Sequence, residues 1–168
     1  MLSFIKHDKN NKTFTSLNDT IRCYDRLKSC DFDFTQSYDI DELHMSLTLL
    51  VAKQDHQNRE IDYTRKEQLL ETSNDVFSLS LAEDTHELIS IGRVMRICVG
   101  SYSDSAVSKY CTIMILRNYD IPVGCIELRE GAVVQAKGPC NRILQGSEKA
   151  FIKNWAEAKG LTVTTRDL

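Results

Sequence analysis

Residues 84–141, DTHELISIGRVMRICVGSYSDSAVSKYCTIMILRNYDIPVGCIELREGAVVQAKGPCN, decide the fold of this chain. The stretch opens on Asp84, and Glu87 follows three residues later, which is the pattern of a capped helix start. Apolar residues then recur on one helical face at positions 88, 91, 95 and 98. We therefore predict a helix over residues 84–98. We also expect close packing against Gly92, because a glycine inside a helix costs about 1 kcal/mol relative to alanine.

Three short strands are predicted after this helix, over residues 111–117, 123–129 and 132–138. The Glu130-Gly131 step is typical of a tight hairpin, whereas residues 118–122 predict a longer turn. Short connections make antiparallel neighbours, so we expect an α+β fold with a small antiparallel β-meander of three to four strands, the fourth being residues 76–81. A final helix over residues 147–159, ended by Gly160, is expected to pack with helix 84–98 on one face of the meander.

The N-terminal half of the chain predicts further helices. Ser16 is placed to cap a first helix, and Asp39 a second one that starts at Ile40 and stops in the polar run of residues 54–58. Thr64 and Glu67 have the spacing of a capping box, which predicts the start of a short third helix.

Length and composition limit the number of domains. With 168 residues, 42% of them hydrophobic, the chain can bury one substantial core but not two of typical size. We divide it into an N-terminal helical extension, residues 1–38, and an α+β domain, residues 39–168.

Charge and cysteine spacing argue against several classes of protein. With a net charge of −3 and a pI near 5.8, the chain does not have the uniformly basic surface of a nonspecific nucleic-acid-binding protein. A local basic patch is still compatible with these values. The six cysteines include no C-x-x-C pair, so we expect reduced thiols in the cytoplasm, no metal and no cofactor. No apolar run is long enough to span a bilayer, which predicts a soluble protein without a membrane partner.

Cys98 is the first candidate for chemistry. A cysteine acts as a nucleophile only when a cation, a base or a helix N-terminus favours its thiolate. Cys98 is instead predicted at a helix C-terminus, where the helix dipole disfavours an anion. Arg96 stays protonated and cannot act as a base, and all four histidines lie upstream of Cys98. We favour a buried cysteine packed as a small hydrophobe, with a catalytic Cys98 as the alternative.

A second candidate site combines polar residues from the end of the helix, the strands and the turn after them. These residues are Arg96, Tyr102, Arg117, Glu127, Gln135, Lys137, Asn141 and Arg142. Glu127 and Gln135 interrupt runs that otherwise predict buried strands, and a buried polar group without a partner costs roughly 1–3 kcal/mol. Two interpretations stay open. One is a satisfied network, such as Arg117 or Arg129 with Glu127, and the other is a polar pocket against the end of helix 84–98.

Several motifs, in this order, resemble one known family. They are Asp84-Thr85-His86-Glu87-Leu88-Ile89, Met95-x-x-Cys98-Val99-Gly100-Ser101-Tyr102, Cys125-Ile126-Glu127-Leu128 and Val133-Val134-Gln135-Ala136-x-Gly138-x-x-Asn141. Two upstream motifs belong to the same set, Asp41-Glu42-Leu43-His44 and Asn58-Arg59-Glu60-Ile61-x-Tyr63-Thr64. Together they make residues 40–160 similar to the PcfJ-like family of bacterial, plasmid and phage proteins, whose biochemical role is uncharacterised. The usual signature of that family has His or Asn directly before the cysteine, where this chain has Ile97, and this departure weakens a His-Cys catalytic or metal site.

Two functional hypotheses follow from the residues and the resemblance. The first is an accessory protein of a mobile element that binds a protein partner, or nucleic acid through a local basic patch. An inhibitor of a host defence system is a special case of this hypothesis. The second is a cysteine-dependent hydrolase or transferase, in which Cys98 is the nucleophile and Gln135 and Asn141 orient the substrate.

Overall fold

The computed structural model describes residues 13–27 and 40–168, and the chain divides into two compact units, Met1–Gln57 and Asn58–Leu168. The first unit contains helices α1 (Thr13–Arg26) and α2 (Ile40–Asp55). Helix α1 begins ahead of Ser16, so the predicted cap at that residue is wrong. The predicted domain boundary after residue 38 lies outside the described residues.

Leu27, Leu47 and Val51 form the buried core of the first unit. An ion pair between Arg26 and Asp55, 2.6 Å apart, joins the ends of its two helices. The predicted second helix is thus confirmed, and it ends at Asp55, inside the polar run where the sequence predicts its end.

A six-stranded sheet forms the centre of the second unit. Its strands follow chain order across the sheet: β1 (Thr72–Ser73), β2 (Phe77–Leu81), β3 (Thr112–Asn118), β4 (Ile121–Arg129), β5 (Ala132–Lys137) and β6 (Thr162–Val163). Every neighbouring pair is antiparallel except β5 with β6, which is parallel. The α+β class is confirmed, but the predicted three to four strands are too few. The two strands that were missed have two residues each, too short for an alternating pattern to reveal them.

The turns between the central strands set the register of the sheet. Glu130 and Gly131 make the predicted tight hairpin, with φ of 50° and 79°. The β3–β4 connection is shorter than predicted, because Asn118 lies directly opposite Ile121. A bulge that leaves Val123 without an opposite residue absorbs the difference.

Helices cover both faces of the sheet, so the prediction that two helices share one face is wrong. Helix α6 (Gly146–Ala158) contributes Ile152 and Trp155 to a core that contains Met114 and Leu116 of β3. Helix α4 (Thr85–Met95) packs instead in the core that contains the alternate β3 residues, including Ile113. Successive strand residues point to opposite faces, and an apolar run such as residues 113–116 therefore needs a layer on each side.

The caps of three helices follow the sequence closely. Thr64 and Glu67 form the predicted capping box of α3 (Arg65–Gln68). Asp84 caps α4 by accepting a hydrogen bond from the backbone N–H of Glu87. Helix α6 begins one residue earlier than predicted, and Gly160 follows its end with φ of 65°.

The chain folds back on α4 directly after that helix ends. Arg96 adopts a left-handed conformation with φ of 54°, and the N–H of Ile97 bonds to the carbonyl oxygen of Gly92 at 2.9 Å. A 3-10 helix, Cys98–Tyr102, and helix α5 (Ser103–Val107) follow. A Cβ on Gly92 would lie 3.0 Å from the carbonyl oxygen of Ile97 and 3.1 Å from the amide nitrogen of Gly100. The expected close packing at Gly92 is confirmed, and its partner is the backbone of the returning chain.

Among residues 13–27 and 40–168, no helix combines the length and the apolar character needed to cross a membrane.

Gly92→Ala should destabilise the second unit by about 1–2 kcal/mol. Because the methyl group must displace backbone atoms and not a flexible side chain, the overpacking cost lies in the upper part of its usual range, roughly 2–3 kcal/mol. The higher helix propensity of alanine offsets about 1 kcal/mol of this cost. Urea unfolding followed by circular dichroism measures the difference. Arg93→Ala, at an exposed position of the same helix, is the control and should change stability by less than about 0.5 kcal/mol. Equal stability of the wild type and the glycine variant would contradict the close approach.

Candidate functional site

A small cleft that is open to solvent lies where the returning chain after α4 meets strands β4 and β5. Its floor comes from the sheet. Strand register places Ile113, Glu127 and Gln135 opposite one another on three adjacent strands, and Cys125 opposite Lys137 in the next row. All five residues line the cleft. The two predicted strand polar residues, Glu127 and Gln135, therefore lie side by side.

A bulge shapes the floor beside Glu127. Glu127 pairs with Gln135 and Leu128 pairs with Val133, which leaves Val134 as an extra residue in β5. The extra residue explains why Val133 and Ala136, three positions apart, both belong to the core under α6. It also keeps Gln135 and Lys137 on the cleft face.

One wall of the cleft is the segment that folds back on α4. Ile97, Cys98, Val99 and Tyr102 line it. The prediction that Cys98 ends the helix is wrong, because α4 stops at Met95 and Cys98 begins the 3-10 helix. The favoured interpretation of Cys98 as a buried residue is also wrong, since its side chain is exposed at the cleft.

The opposite rim is a 3-10 turn, Pro139–Asn141, that follows β5. Cys140 and Asn141 both have left-handed backbones, with φ of 56° and 59°. This conformation costs roughly 1–2 kcal/mol per residue for most L-amino acids and is tolerated best by asparagine and aspartate. The turn holds Asn141 against the cleft, and backbone strain of this kind concentrates at functional sites.

Glu127 is the most buried charged residue of the cleft, at 5% exposure. Arg129, two residues along the same strand, neutralises it: Nε and Nη2 both lie 2.6 Å from Oε1. The guanidinium also lies 4.8 Å above the ring of Tyr110. The hydrogen bond to Glu127 raises the pKa of Arg129. The predicted satisfied network therefore exists, with Arg129 rather than Arg117 as the partner.

Glu127 lines the cleft, and Arg129 binds only one of its two carboxylate oxygens. No described residue donates a hydrogen bond to Oε2. Every buried side-chain nitrogen or oxygen in the described part of the chain has a partner, so Oε2 must contact solvent. Tyr102 lines the same cleft, and its burial, followed by the charge of Glu127, raises its pKa. The cleft thus keeps one strong hydrogen-bond acceptor available for a ligand.

Lys137, the predicted cation of the cleft floor, has a carboxylate partner that the sequence did not suggest. Its Nζ lies 2.5 Å from Oδ1 of Asp167, and Oδ2 of the same residue accepts the N–H of Ala136 at 3.2 Å. Burial by itself raises the pKa of Asp167, but the hydrogen bonds from Lys137, Ala136 and Thr165 together hold it below its usual value. Asp167 was missed because it stands 30 residues further along the chain with no motif around it.

The three predicted arginines lie apart from the cleft lining. Arg117 pairs with Glu87 at 2.5 Å and with Ser80. Arg142 forms a two-point pair with Glu148 at 2.6 and 2.7 Å. The Arg142 side chain also lies over Gly138, where a Cβ would collide with it, so the packing of Arg142 accounts for the glycine and no bound ligand is needed to explain it. Arg96 is exposed at the end of α4. Of the nine predicted residues, six line the cleft: Cys98, Tyr102, Glu127, Gln135, Lys137 and Asn141.

The cysteines of the second unit divide into two environments. Cys98 and Cys140 are exposed, whereas Cys111 and Cys125 are buried. Burial raises the pKa of Cys111 to about 11 and that of Cys125 to about 12, with the Glu127 carboxylate adding to each shift. Within the described residues, no three His, Cys, Asp or Glu side chains gather in a way that could hold a metal ion.

Comparison with models of protein families identifies the family of this chain. A family model described as PcfJ-like protein matches residues 16–152, which is most of the chain. This matched range begins at residue 16, whereas the motifs that carry the resemblance in the sequence begin at about residue 40. Searches of curated proteins and of solved structures returned no match.

The Lys137–Asp167 pair predicts a loss of stability in acid. The pKa of Asp167 is lower in the folded chain than its ordinary value of 3.8, so the folded state binds this proton less readily than the unfolded state. The stabilisation is therefore complete above about pH 5 and is lost as the pH falls through 4 and below. Asp167→Asn should lower the free energy of unfolding by about 1–2 kcal/mol at pH 7 and by less at pH 3. Urea titrations at several pH values measure this difference.

Asp120→Asn is the matched control, because Asp120 is an exposed carboxylate in the β3–β4 turn. We expect it to change stability by less than about 0.5 kcal/mol at either pH. A difference between wild type and Asp167→Asn that does not depend on pH would show that the charge of Asp167 contributes nothing.

Proposed function

The chain belongs to the PcfJ-like family, and from that premise we propose that it is a cytoplasmic binding module of a mobile genetic element, a plasmid or a phage. Its cleft receives a segment of a protein partner. Inhibition of a host defence system would be one use of such a module.

One observation carries this proposal: the cleft gathers hydrogen-bonding side chains from three separate segments of the chain. Tyr102 comes from the wall, Gln135 from the floor and Asn141 from the rim. Carboxamides both donate and accept hydrogen bonds, as the polypeptide backbone does. Between them lie the apolar side chains of Ile97 and Ile113. An apolar surface with a few convergent polar groups is the usual character of a binding site.

The charges favour a protein over a nucleic acid. Arg117, Lys137 and Arg142 each have a carboxylate partner within 2.6 Å. Affinity for nucleic acid comes largely from cations that neutralise phosphates. A cation that is already paired with a carboxylate of the same protein binds a phosphate less strongly. The predicted basic patch is therefore a weak candidate for a phosphate-binding surface.

Affinity capture from host cells, quantified by mass spectrometry, tests the proposal. The cleft variant combines Gln135→Ala with Asn141→Gly, since glycine accepts the positive φ at that position. We expect it to retain at least about tenfold less partner than wild type, equivalent to roughly 1.4 kcal/mol. Thermal unfolding confirms that the variant is folded.

The control for this experiment is Lys153→Ala with Asn154→Ala, on the exposed surface of α6. Helix α6 covers the other face of the sheet, so the control should retain the partner fully. Loss with the control and not with the cleft variant would contradict the proposal. A wild-type protein that captures no protein but shifts DNA or RNA in a salt-sensitive manner would favour nucleic acid instead.

The exposure of Cys98 keeps a second candidate function, a cysteine-dependent hydrolase or transferase. The thiol lies in the same cleft as the Gln135 and Asn141 carboxamides, which would orient a substrate. The lining of this cleft contains no histidine, and its one carboxylate, Glu127, is already bound by Arg129. The described residues of the lining thus offer no histidine to activate the thiol, and we place this candidate second.

Iodoacetamide separates the two candidates. Cys98 and Cys140 should be alkylated at least about tenfold faster than Cys111 and Cys125, because only the exposed thiols are accessible and burial suppresses thiolate formation in the others. Peptide mass spectrometry of a time course gives the four rates. An activated nucleophile requires Cys98 to outpace Cys140 by a further factor of about ten, and equal rates at the two exposed thiols would end the enzyme candidate.

A further inference from the structure

We infer that the cleft takes a primary ammonium group, supplied by a lysine side chain of the protein partner. The inference rests on the binding function proposed above and names the group that is recognised. It is carried by the environment of the Glu127 carboxylate and by the character of the walls around it.

The Glu127 carboxylate has one free acceptor in an otherwise enclosed place. Its side chain is only 6% exposed, and Oε1 is held by two nitrogens of Arg129. Oε2 has no donor among the described residues and is accessible to solvent, and Glu127 lines the cleft. A largely buried carboxylate oxygen without a donor favours a ligand that brings a hydrogen bond and, better, a positive charge. Arg129 also fixes the orientation of the carboxylate, so the acceptor is already positioned before a ligand arrives.

This arrangement distinguishes an ammonium from a guanidinium. Arginine binds a carboxylate best through two parallel hydrogen bonds, one to each oxygen. Oε1 of Glu127 already accepts from Arg129, so a second guanidinium could reach only one oxygen. An ammonium is a compact point charge with three donors and needs no second oxygen. The carbonyl oxygens of the Gln135 and Asn141 carboxamides provide acceptors for its remaining donors.

The walls suit the rest of a lysine side chain. Ile97, Val99 and Ile113 line the cleft beside the polar groups, and a lysine stem of four methylene groups buries well against such side chains. Tyr102 adds an aromatic ring to the same lining, and aromatic faces attract cations. The cation already present, Lys137, is neutralised by Asp167 at 2.5 Å, so it opposes an incoming ammonium only weakly.

Titration of ¹⁵N-labelled protein with three small probes tests the inference. The probes are the amides of Nα-acetyl-lysine, Nα-acetyl-arginine and Nα-acetyl-norleucine, which share a backbone and differ in the end of the side chain. We expect the lysine probe to give saturable shifts at the side-chain amides of Gln135 and Asn141, with a Kd of the order of 1–10 mM. The arginine and norleucine probes should bind at least about fivefold more weakly.

Two variants assign the effect to the proposed acceptors. Glu127→Gln should remove the lysine-dependent shifts. Because this change also weakens the partner of Arg129, Gln135→Leu is the second variant, and it should weaken lysine binding several-fold without touching the ion pair. Lys153→Ala, on the surface of α6, should bind the lysine probe as wild type does.

Three results would overturn the inference. They are equal binding of norleucine, equal or tighter binding of arginine, and the absence of any shift at about 50 mM of the lysine probe. The binding function is judged separately, by the capture experiment. If the cleft variant loses its partner while the lysine probe fails to bind, the result contradicts only the inference that the cleft recognises an ammonium group. If the cleft variant keeps its partner, the result contradicts the proposed binding function of the cleft.

Discussion

The burial of strand β3 on both faces is the constraint on which the second unit depends. Ile113, Met114, Ile115 and Leu116 are each at most 1% exposed, and alternate side chains point to opposite sides of the sheet. Each face therefore needs its own layer of helices. Helix α6 supplies one layer, and α4 with the segment that follows it supplies the other. The cleft lies at the margin of the second layer, where that segment meets strands β4 and β5.

The way the chain leaves α4 decides what the cleft contains. Gly92 lets the backbone of residues 97–100 lie directly against the helix, and the left-handed Arg96 turns the chain back toward the sheet. Cys98 and Tyr102 consequently face Glu127 and Gln135 across the cleft instead of continuing along a helix away from them. A side chain of ordinary size at position 92 would hold the returning segment away, because a Cβ there already meets backbone atoms at about 3 Å.

Paired charges are the recurring electrostatic feature of this unit. Glu127, Lys137, Arg117 and Arg142 each have an oppositely charged partner, and in each pair at least one member is well shielded from solvent. Pairing lowers the cost of burying a charge, and it leaves little unbalanced charge on these side chains for a polyanion. Within this balanced set, one oxygen of Glu127 stays available to the cleft. The specificity that we propose comes from this single acceptor rather than from net charge.

The sequence by itself determined the α+β class, the start of α4 at Asp84, the Glu130-Gly131 hairpin and most of the residues that line the cleft. These follow from local chemistry: caps, turn conformations, and polar residues inside apolar strand patterns. Tertiary structure alone decided that α4 and α6 lie on opposite faces, that Cys98 is exposed, and that Lys137 is paired with Asp167. Those outcomes depend on contacts between segments far apart in the chain, and on where the backbone reverses at Arg96, and neither leaves a periodic signal in the sequence.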